Sequence, residues 1–210
     1  LKDISELKFL DVKNVKDFSC LFSNCSSLSD ISSLEFWDVS NGINFSSMFS
    51  NCSSLSDLSP LRNWNVSNGT NFSYMFSYCI ILSNLNGLSN WNVSNGTDFA
   101  SMFINCSSLS DLFSLSNWNV KRSKTFSGMF SYCYILSELK PLENWKFANY
   151  VNFCYMFSNC KSLSDVSALK YWNISEYCKF TCMFYECSPL LSLEDLWNWN
   201  LQKETIKGMK

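Results

Sequence analysis

The chain has 210 residues, with 16 Lys or Arg, 18 Asp or Glu, no histidine and a net charge of −2. The absence of histidine excludes a Ser-His-Asp triad, a Cys-His pair and a histidine-ligated zinc site. The low charge argues against a nucleic-acid partner, because phosphate must be neutralised by a basic surface. Hydrophobic residues make up 47% of the chain, which excludes a disordered tract. Their uninterrupted runs are too short to predict a transmembrane segment.

Bulky residues recur at a fixed interval of 27 positions along the chain. Two phenylalanine series, one tryptophan series and one cysteine series keep this step: Phe18, Phe45, Phe72, Phe99, Phe126, Phe153 and Phe180; Phe22, Phe49, Phe76, Phe103, Phe130, Phe157 and Phe184; Trp37, Trp64, Trp91, Trp118, Trp145, Trp172 and Trp199; Cys25, Cys52, Cys79, Cys106, Cys133, Cys160 and Cys187. Such self-similarity is the signature of a repeat architecture. We therefore expect residues 1–210 to form a single solenoid domain of seven to eight repeats. Neither end shows a clear capping repeat, so we also expect a fragment of a longer array.

One repeat, read in chain order, contains three predicted elements. Leucines at every third position, Leu55, Leu58 and Leu61, predict a 3₁₀-like or arched segment. Alternation of apolar and polar residues over Asn63–Ser67 predicts a short strand with Trp64 facing the core. In Asn71–Cys79 the apolar residues lie at i, i+3, i+4 and i+7, which predicts a short amphipathic α-helix.

A unit of this size cannot bury its apolar face alone, so neighbouring repeats must stack. Parallel strands pack about 4.8 Å apart, whereas helices need about 8–10 Å between their axes. The predicted fold class is thus α/β: a curved, leucine-rich-repeat-like solenoid with one short parallel strand and one short helix per repeat. Strands would lie on the concave face and helices on the convex face.

The repeat motif also carries a resemblance to a known family. Trp64-Asn65-Val66-Ser67-Asn68, followed by Phe72, Met75-Phe76, Cys79 and Leu82, resembles the repeats of BspA-like leucine-rich-repeat surface proteins, in particular the subgroup found in Mycoplasma lipoproteins. Two positions depart from the family pattern: Gly42, Gly69 and Gly96 replace its usual Val, and its first Met is Phe. The resemblance covers essentially the whole chain. It implies a surface-exposed or secreted array that adheres to host or matrix proteins.

The outward positions of the predicted strands form a candidate binding column. Its members, each one residue after the ladder tryptophan, are Asp38, Asn65, Asn92, Asn119, Lys146, Asn173 and Asn200. Amides and hydroxyls around this column could bind a protein or a glycan. Alternatively, they only solvate the sheet. The tryptophans could form a stacking platform, but their phase with Val predicts that they are core residues.

The cysteines were the other candidate for chemistry. A spacing of about 8–10 Å between helices would exceed the reach of a disulfide, so the seven ladder cysteines are predicted to be free core residues. A disulfide between Cys154 and either Cys178 or Cys182 remains an alternative. No metal ligand set is evident.

The sequence thus predicts a non-catalytic recognition module without a cofactor. It has no acid pair in a recognisable pocket and no phosphate-binding glycine motif. The favoured hypothesis is a cell-surface or secreted adhesion module that uses the concave face. The alternative is an intracellular protein-interaction scaffold of the same fold, in which reduced cysteines would be stable.

Overall fold

A computed structural model describes all residues from 1 to 210, and it is built from eight short 3₁₀ helices and one terminal α-helix. The 3₁₀ helices are η1 Ser5–Phe9, η2 Ser32–Phe36, η3 Ser59–Leu61, η4 Asn86–Leu88, η5 Phe113–Leu115, η6 Lys140–Leu142, η7 Ser167–Tyr171 and η8 Glu194–Trp199, and the α-helix α1 is Lys203–Lys207. The leucine spacing therefore predicted the 3₁₀ segment correctly. Its third leucine closes the turn, as when the Leu61 amide donates to the Leu58 carbonyl at 2.9 Å.

The segment from Phe to Cys in each repeat forms a ladder of tight turns, which we call the turn ladder. Within a repeat, the amides of Met75, Ser77 and Cys79 each donate to the carbonyl three residues earlier, at 3.0–3.3 Å. The alternate amides donate to the next repeat: those of Phe45, Ser47, Phe49 and Asn51 donate to the carbonyls of Asn71, Ser73, Met75 and Ser77 at 2.7–2.9 Å. All four bonds between repeats run from an amide to a carbonyl of the next repeat, towards the C-terminal end of the array.

The α-helix predicted over Asn71–Cys79 is wrong. Stacked phenylalanine rings of successive repeats lie 5.3–5.9 Å apart, whereas helices side by side need about 8–10 Å. At the shorter spacing, alternate amides of one repeat reach the carbonyls of the next, so that intersegment bonds replace helical ones. An inward pattern of i, i+3, i+4 and i+7 fits these turns as well as it fits one helix face.

The predicted strand over Asn63–Ser67 is also absent. Between consecutive repeats the structure has one isolated parallel bridge, which connects in order Asp17, Asn44, Asn71, Asp98, Thr125, Asn152 and Lys179. The solenoid is confirmed, whereas the assignment of one strand and one helix to each repeat is not. Most backbone-to-backbone hydrogen bonds in this fold belong to turns rather than to helices or strands.

The interior is a single cluster of 64 buried hydrophobic residues that runs from Ile4 to Met209. Four of the six neighbouring pairs of equivalent tryptophans stack, with ring centroids 6.0–6.5 Å apart and planes nearly parallel. The ring of each ladder tryptophan is buried, which confirms its prediction as core. Equivalent phenylalanine rings of the turn ladder lie closer together, at 5.3–5.9 Å, than these tryptophan rings do.

The glycines at positions 42, 69 and 96 occupy sites with no room for a side chain. A Cβ on Gly69 would lie 2.4 Å from the Phe72 ring and 3.0 Å from the Val66 carbonyl, and Gly42 and Gly96 have equivalent surroundings.

At the C-terminal end of the array, the residues just after α1 continue the hydrogen bonding of the turn ladder. The carbonyls of Gly208 and Met209 accept the amides of Cys182 and Phe184 at 2.9 and 2.7 Å.

Candidate recognition surface

The column predicted for binding is exposed in all seven repeats, but most of its side chains are engaged in local turns. The side-chain oxygens of Asp38, Asn65, Asn92 and Asn119 accept the amide two residues later, at 3.1–3.3 Å. This Asx-turn geometry shapes the backbone after the tryptophan. Such a carboxylate or amide is already partnered before any ligand arrives.

Other members of the column differ in their contacts. The Asn173 side chain exchanges two hydrogen bonds with the Phe147 backbone, at 3.0 and 3.1 Å. Lys146 Nζ donates to the Tyr171 carbonyl at 3.1 Å. Asn200 adopts a left-handed conformation at the end of η8. The column is therefore an exposed row of residues that shape or brace the backbone.

The turn ladder presents a second and more varied outward surface, which we call the ladder face. Two columns of it lie two and six positions after the first phenylalanine of each repeat: Cys20, Ser47, Tyr74, Ser101, Gly128, Tyr155 and Cys182; and Asn24, Asn51, Tyr78, Asn105, Tyr132, Asn159 and Glu186. Glu186 is the single charged residue among these fourteen, and it pairs with Lys161 at 2.7 Å. The ladder face is thus a neutral field of phenol, hydroxyl and amide groups.

Both columns carry a strained backbone. Every residue in them has a positive φ between 53° and 64°, and only Gly128 is a glycine. This conformation costs L-residues about 1–2 kcal/mol each. The turn-ladder bonds on either side hold these residues in place. Their side chains project outward from a rigid frame.

Large side chains on this face are half-exposed rather than buried. Tyr74, Tyr78, Tyr132, Tyr134, Tyr155 and Tyr185 are each 39–47% exposed, and Ile80, Ile81 and Ile135 are similar. Exposed apolar area in one contiguous region typically marks an interaction site. Tyrosine combines a rigid ring with a polar tip, which suits a surface that is wet before binding.

A groove of about 340 Å³ lies on the ladder face over the fourth to seventh repeats. Its walls are Tyr132, Tyr155 and Tyr185, and Gly128 lies in its floor beside serines. This tyrosine groove is within the size range of ligand pockets. The pKa of Tyr155 is raised, chiefly by the charge interaction with nearby Cys182.

All eleven cysteines are free in the structure, as predicted for the seven ladder positions, and the alternative disulfide involving Cys154 is not formed. The reason given for the ladder was wrong, because the repeats stack closer than helices would. Six of the seven ladder thiols donate to a backbone carbonyl of the preceding repeat. Cys79 Sγ, for example, donates to the Phe49 carbonyl at 3.4 Å.

Burial also suppresses the reactivity of the five central ladder thiols, Cys52, Cys79, Cys106, Cys133 and Cys160. Desolvation raises the pKa of Cys52 and of Cys106 to about 12, and it raises that of Cys133 well above its ordinary value. The nucleophilic form of cysteine is the thiolate. The structure contains no group of three or more His, Cys, Asp or Glu residues arranged to hold a metal ion. It also contains no helix that is long and apolar enough to cross a bilayer.

Sequence reasoning missed the ladder face because it assigned these positions to the convex surface of helices. A signal was nevertheless present. The inward positions of the turn ladder hardly vary between repeats, whereas the two outward columns alternate among Tyr, Ser, Asn and Cys. A position free to vary within a strict repeat is one where the fold imposes little. Such positions can be used for recognition.

A protein family described as "Mycoplasma protein of unknown function, DUF285" matches residues 2–112, 61–168 and 114–209. Among curated proteins, none matches the sequence significantly. The chain is also similar to the crystal structure of an internalin (inlF) from Listeria monocytogenes str. 4b F2365, at 15% identity and a TM-score of 0.30. That similarity covers 99% of this chain and 62% of the internalin chain, so the chain spans less than two thirds of its length.

Proposed function

We propose that this chain, which belongs to the DUF285 family of Mycoplasma proteins, is a non-catalytic recognition module whose ladder face binds a protein. The observation that supports this most is the composition of that face. Its columns consist largely of Tyr, Ser, Asn and Gly, which are the residues enriched in antibody paratopes. Tyrosine supplies large contact area at low entropic cost, while Ser, Asn and Gly adapt their hydrogen bonds to a partner.

Rigidity supports the same proposal. Four amide-to-carbonyl bonds cross each of the six interfaces between repeats at the turn ladder. A binding surface that is already ordered loses little conformational entropy on association. The neutral character of the face favours a partner held by shape and aromatic contacts over one attracted by long-range charge.

The absence of catalysis is part of this proposal. No histidine is available, the buried thiols are protonated, and the ladder face carries no paired acids. The net charge of the whole chain, −2, likewise argues against a nucleic-acid partner. The proposed setting is the cell surface or the extracellular medium, as implied by the resemblance to BspA-like repeats, and the proposed role there is adhesion.

The test compares the two candidate surfaces on the same protein. In one variant, Tyr74, Tyr78, Tyr132 and Tyr155 are replaced by Ser, which other repeats carry on this face. The matched control replaces Asn65, Asn92 and Asn119 by Ser in the column predicted from sequence, where a hydroxyl can still accept the turn amide. Both are measured for binding to a panel of purified extracellular-matrix proteins. We expect the first variant to lose binding at least tenfold and the control to retain it; the reverse pattern would assign binding to the other column.

An intracellular scaffold is the alternative, since reduced thiols are also stable inside cells. Protease treatment of intact cells that carry the full-length protein separates the two. Cleavage without lysis supports the surface setting. Protection until lysis would favour the scaffold.

A further inference from the structure

The tyrosine groove exists because residue 128 is a glycine, although the backbone conformation there does not require one. At the position of Gly128, the other six repeats carry Cys, Ser or Tyr with the same positive φ. The turn therefore accepts a side chain here. A Cβ on Gly128 would have one close neighbour, the Ser101 hydroxyl at 3.0 Å. The missing side chain, beside the small Ser101, leaves the depression open.

The walls and the floor of the groove differ in chemistry. Tyr132, Tyr155 and Tyr185 are 40–47% exposed, and together with Ile104 they form its apolar surface. The floor is polar, with Ser101 and Ser131 both nearly buried. No side-chain hydrogen bond within the protein engages the hydroxyl of Ser101 or of Ser131, while Ser158 Oγ accepts one from its neighbour Asn159 at 3.1 Å. Two hydroxyls in the floor are thus available to a ligand.

The electrostatics of the groove select against charged ligands. Among its ten lining residues there is no Asp, Glu, Lys or Arg. A charged group placed there would be desolvated without a counter-ion, which is unfavourable. An apolar side chain is disfavoured as well, because it would separate the Ser101 and Ser131 hydroxyls from water without replacing their bonds.

We propose that the tyrosine groove binds a neutral saccharide. A sugar ring offers C–H patches that pack on phenol rings and hydroxyls that both donate and accept, as Ser, Asn and Tyr do. This inference rests on the proposed function in that it places a ligand on the same recognition face. It names the chemistry recognised at the fourth to seventh repeats, a glycan carried by the partner or presented on its own.

The experiment uses the intact 210-residue chain labelled with 3-fluorotyrosine, whose nine tyrosine ¹⁹F signals are assigned by single Tyr→Phe variants. The probes are neutral tri- and tetrasaccharides of glucose, galactose, mannose and N-acetylhexosamine, each titrated separately. We expect at least one to shift the signals of Tyr132, Tyr155 and Tyr185 with saturation and to leave that of Tyr74 unchanged.

The decisive variant is Gly128→Tyr, which fills the groove with a side chain that the fold already accepts at Tyr74 and Tyr155. We expect it to weaken saccharide binding at least tenfold. The matched control is Ser47→Tyr, the same column outside the groove, which should bind within twofold of the unaltered chain. Binding by Gly128→Tyr at full strength, or no saturable shift with any saccharide, overturns the proposal.

A neutral heptapeptide titrated in parallel separates the other class of ligand. If it shifts the three groove tyrosines and no saccharide does, the groove is a peptide site and the saccharide assignment is wrong. Matrix-protein capture by Gly128→Tyr distinguishes this inference from the proposed function. Saccharide binding lost with capture intact supports both, whereas capture without any saccharide binding leaves only the proposed function standing.

Discussion

The indole nitrogen of Trp64 donates a hydrogen bond to the carbonyl of Leu34, thirty residues earlier, at 2.8 Å. The same bond recurs at all seven ladder tryptophans, at 2.8–3.3 Å. The Leu34 carbonyl also accepts the Trp37 amide within its own repeat. Each tryptophan therefore ties its repeat to the turn of the preceding one, and it satisfies its only polar atom inside the core.

Replacing Trp91 by Phe removes this tie while keeping an aromatic ring in the stack. We expect a loss of about 1–2 kcal/mol in the free energy of unfolding, since one hydrogen bond and part of an apolar contact disappear. Urea unfolding followed by circular dichroism measures it. Trp197→Phe is the control, because that ring is 61% exposed and its replacement should change stability little. Equal effects would contradict the role given to the indole bond.

Replacing Phe99 by Ala opens a cavity in the centre of the array. Phe99 is fully buried and stacks on Phe72 and Phe126 with centroids 5.3 and 5.5 Å apart. We expect a loss of about 3–5 kcal/mol, measured by the same unfolding assay. Asn92→Ala should cost far less, because that residue is exposed and its side chain accepts only a local turn amide. Similar costs for the two would refute the inward and outward assignment.

Replacing Ser47 by Gly should stabilise the protein. Ser47 has a φ of 56°, where an L-residue is strained and glycine is not. After the larger unfolded-state entropy of glycine is subtracted, we expect a gain of about 0.5–1 kcal/mol. Ser46→Gly, one residue earlier and without a positive φ, should be destabilising by a similar amount. The difference in melting temperature between the two variants decides the point.

The buried ladder thiols should make the free energy of unfolding depend on pH in the alkaline range. The folded state raises the pKa of Cys106 to about 12 from an ordinary value of 9.0, because burial disfavours the thiolate. A group whose folded pKa is raised contributes its full stability below the unfolded pKa and loses it as pH rises towards the folded one. We therefore expect the free energy of unfolding to fall between pH 9 and 12, and to fall less steeply in Cys106→Ala.

Thiol titration provides an independent measurement of the same burial. At pH 8 under native conditions, exposed Cys20 should react with a thiol reagent, while Cys52, Cys79, Cys106, Cys133 and Cys160 should react only after denaturation. Recovery of fewer than eleven free thiols from protein denatured without any reducing agent would show that disulfides form. Reaction of all the ladder thiols without denaturant would contradict the packing.

The sequence by itself determined the period of the fold and which residues face inward. A step of 27 residues without insertion makes equivalent side chains stack, so the buried phenylalanine, tryptophan and cysteine ladders follow from the pattern alone. The 3₁₀ turns followed as well, because leucines at every third position match their period.

Only the tertiary structure decided what the segment Asn71–Cys79 becomes. Over the eight residues Phe72–Cys79, the buried positions of a helix face and of a run of turns are the same, because two residues face inward and the next two face outward in both. The choice depends on the distance between repeats: at 5.3–5.9 Å amides of one repeat bond to carbonyls of the next, and a helix has no room. That choice placed Tyr132, Tyr155 and Gly128 on the outward side of the turn ladder, where they line the groove.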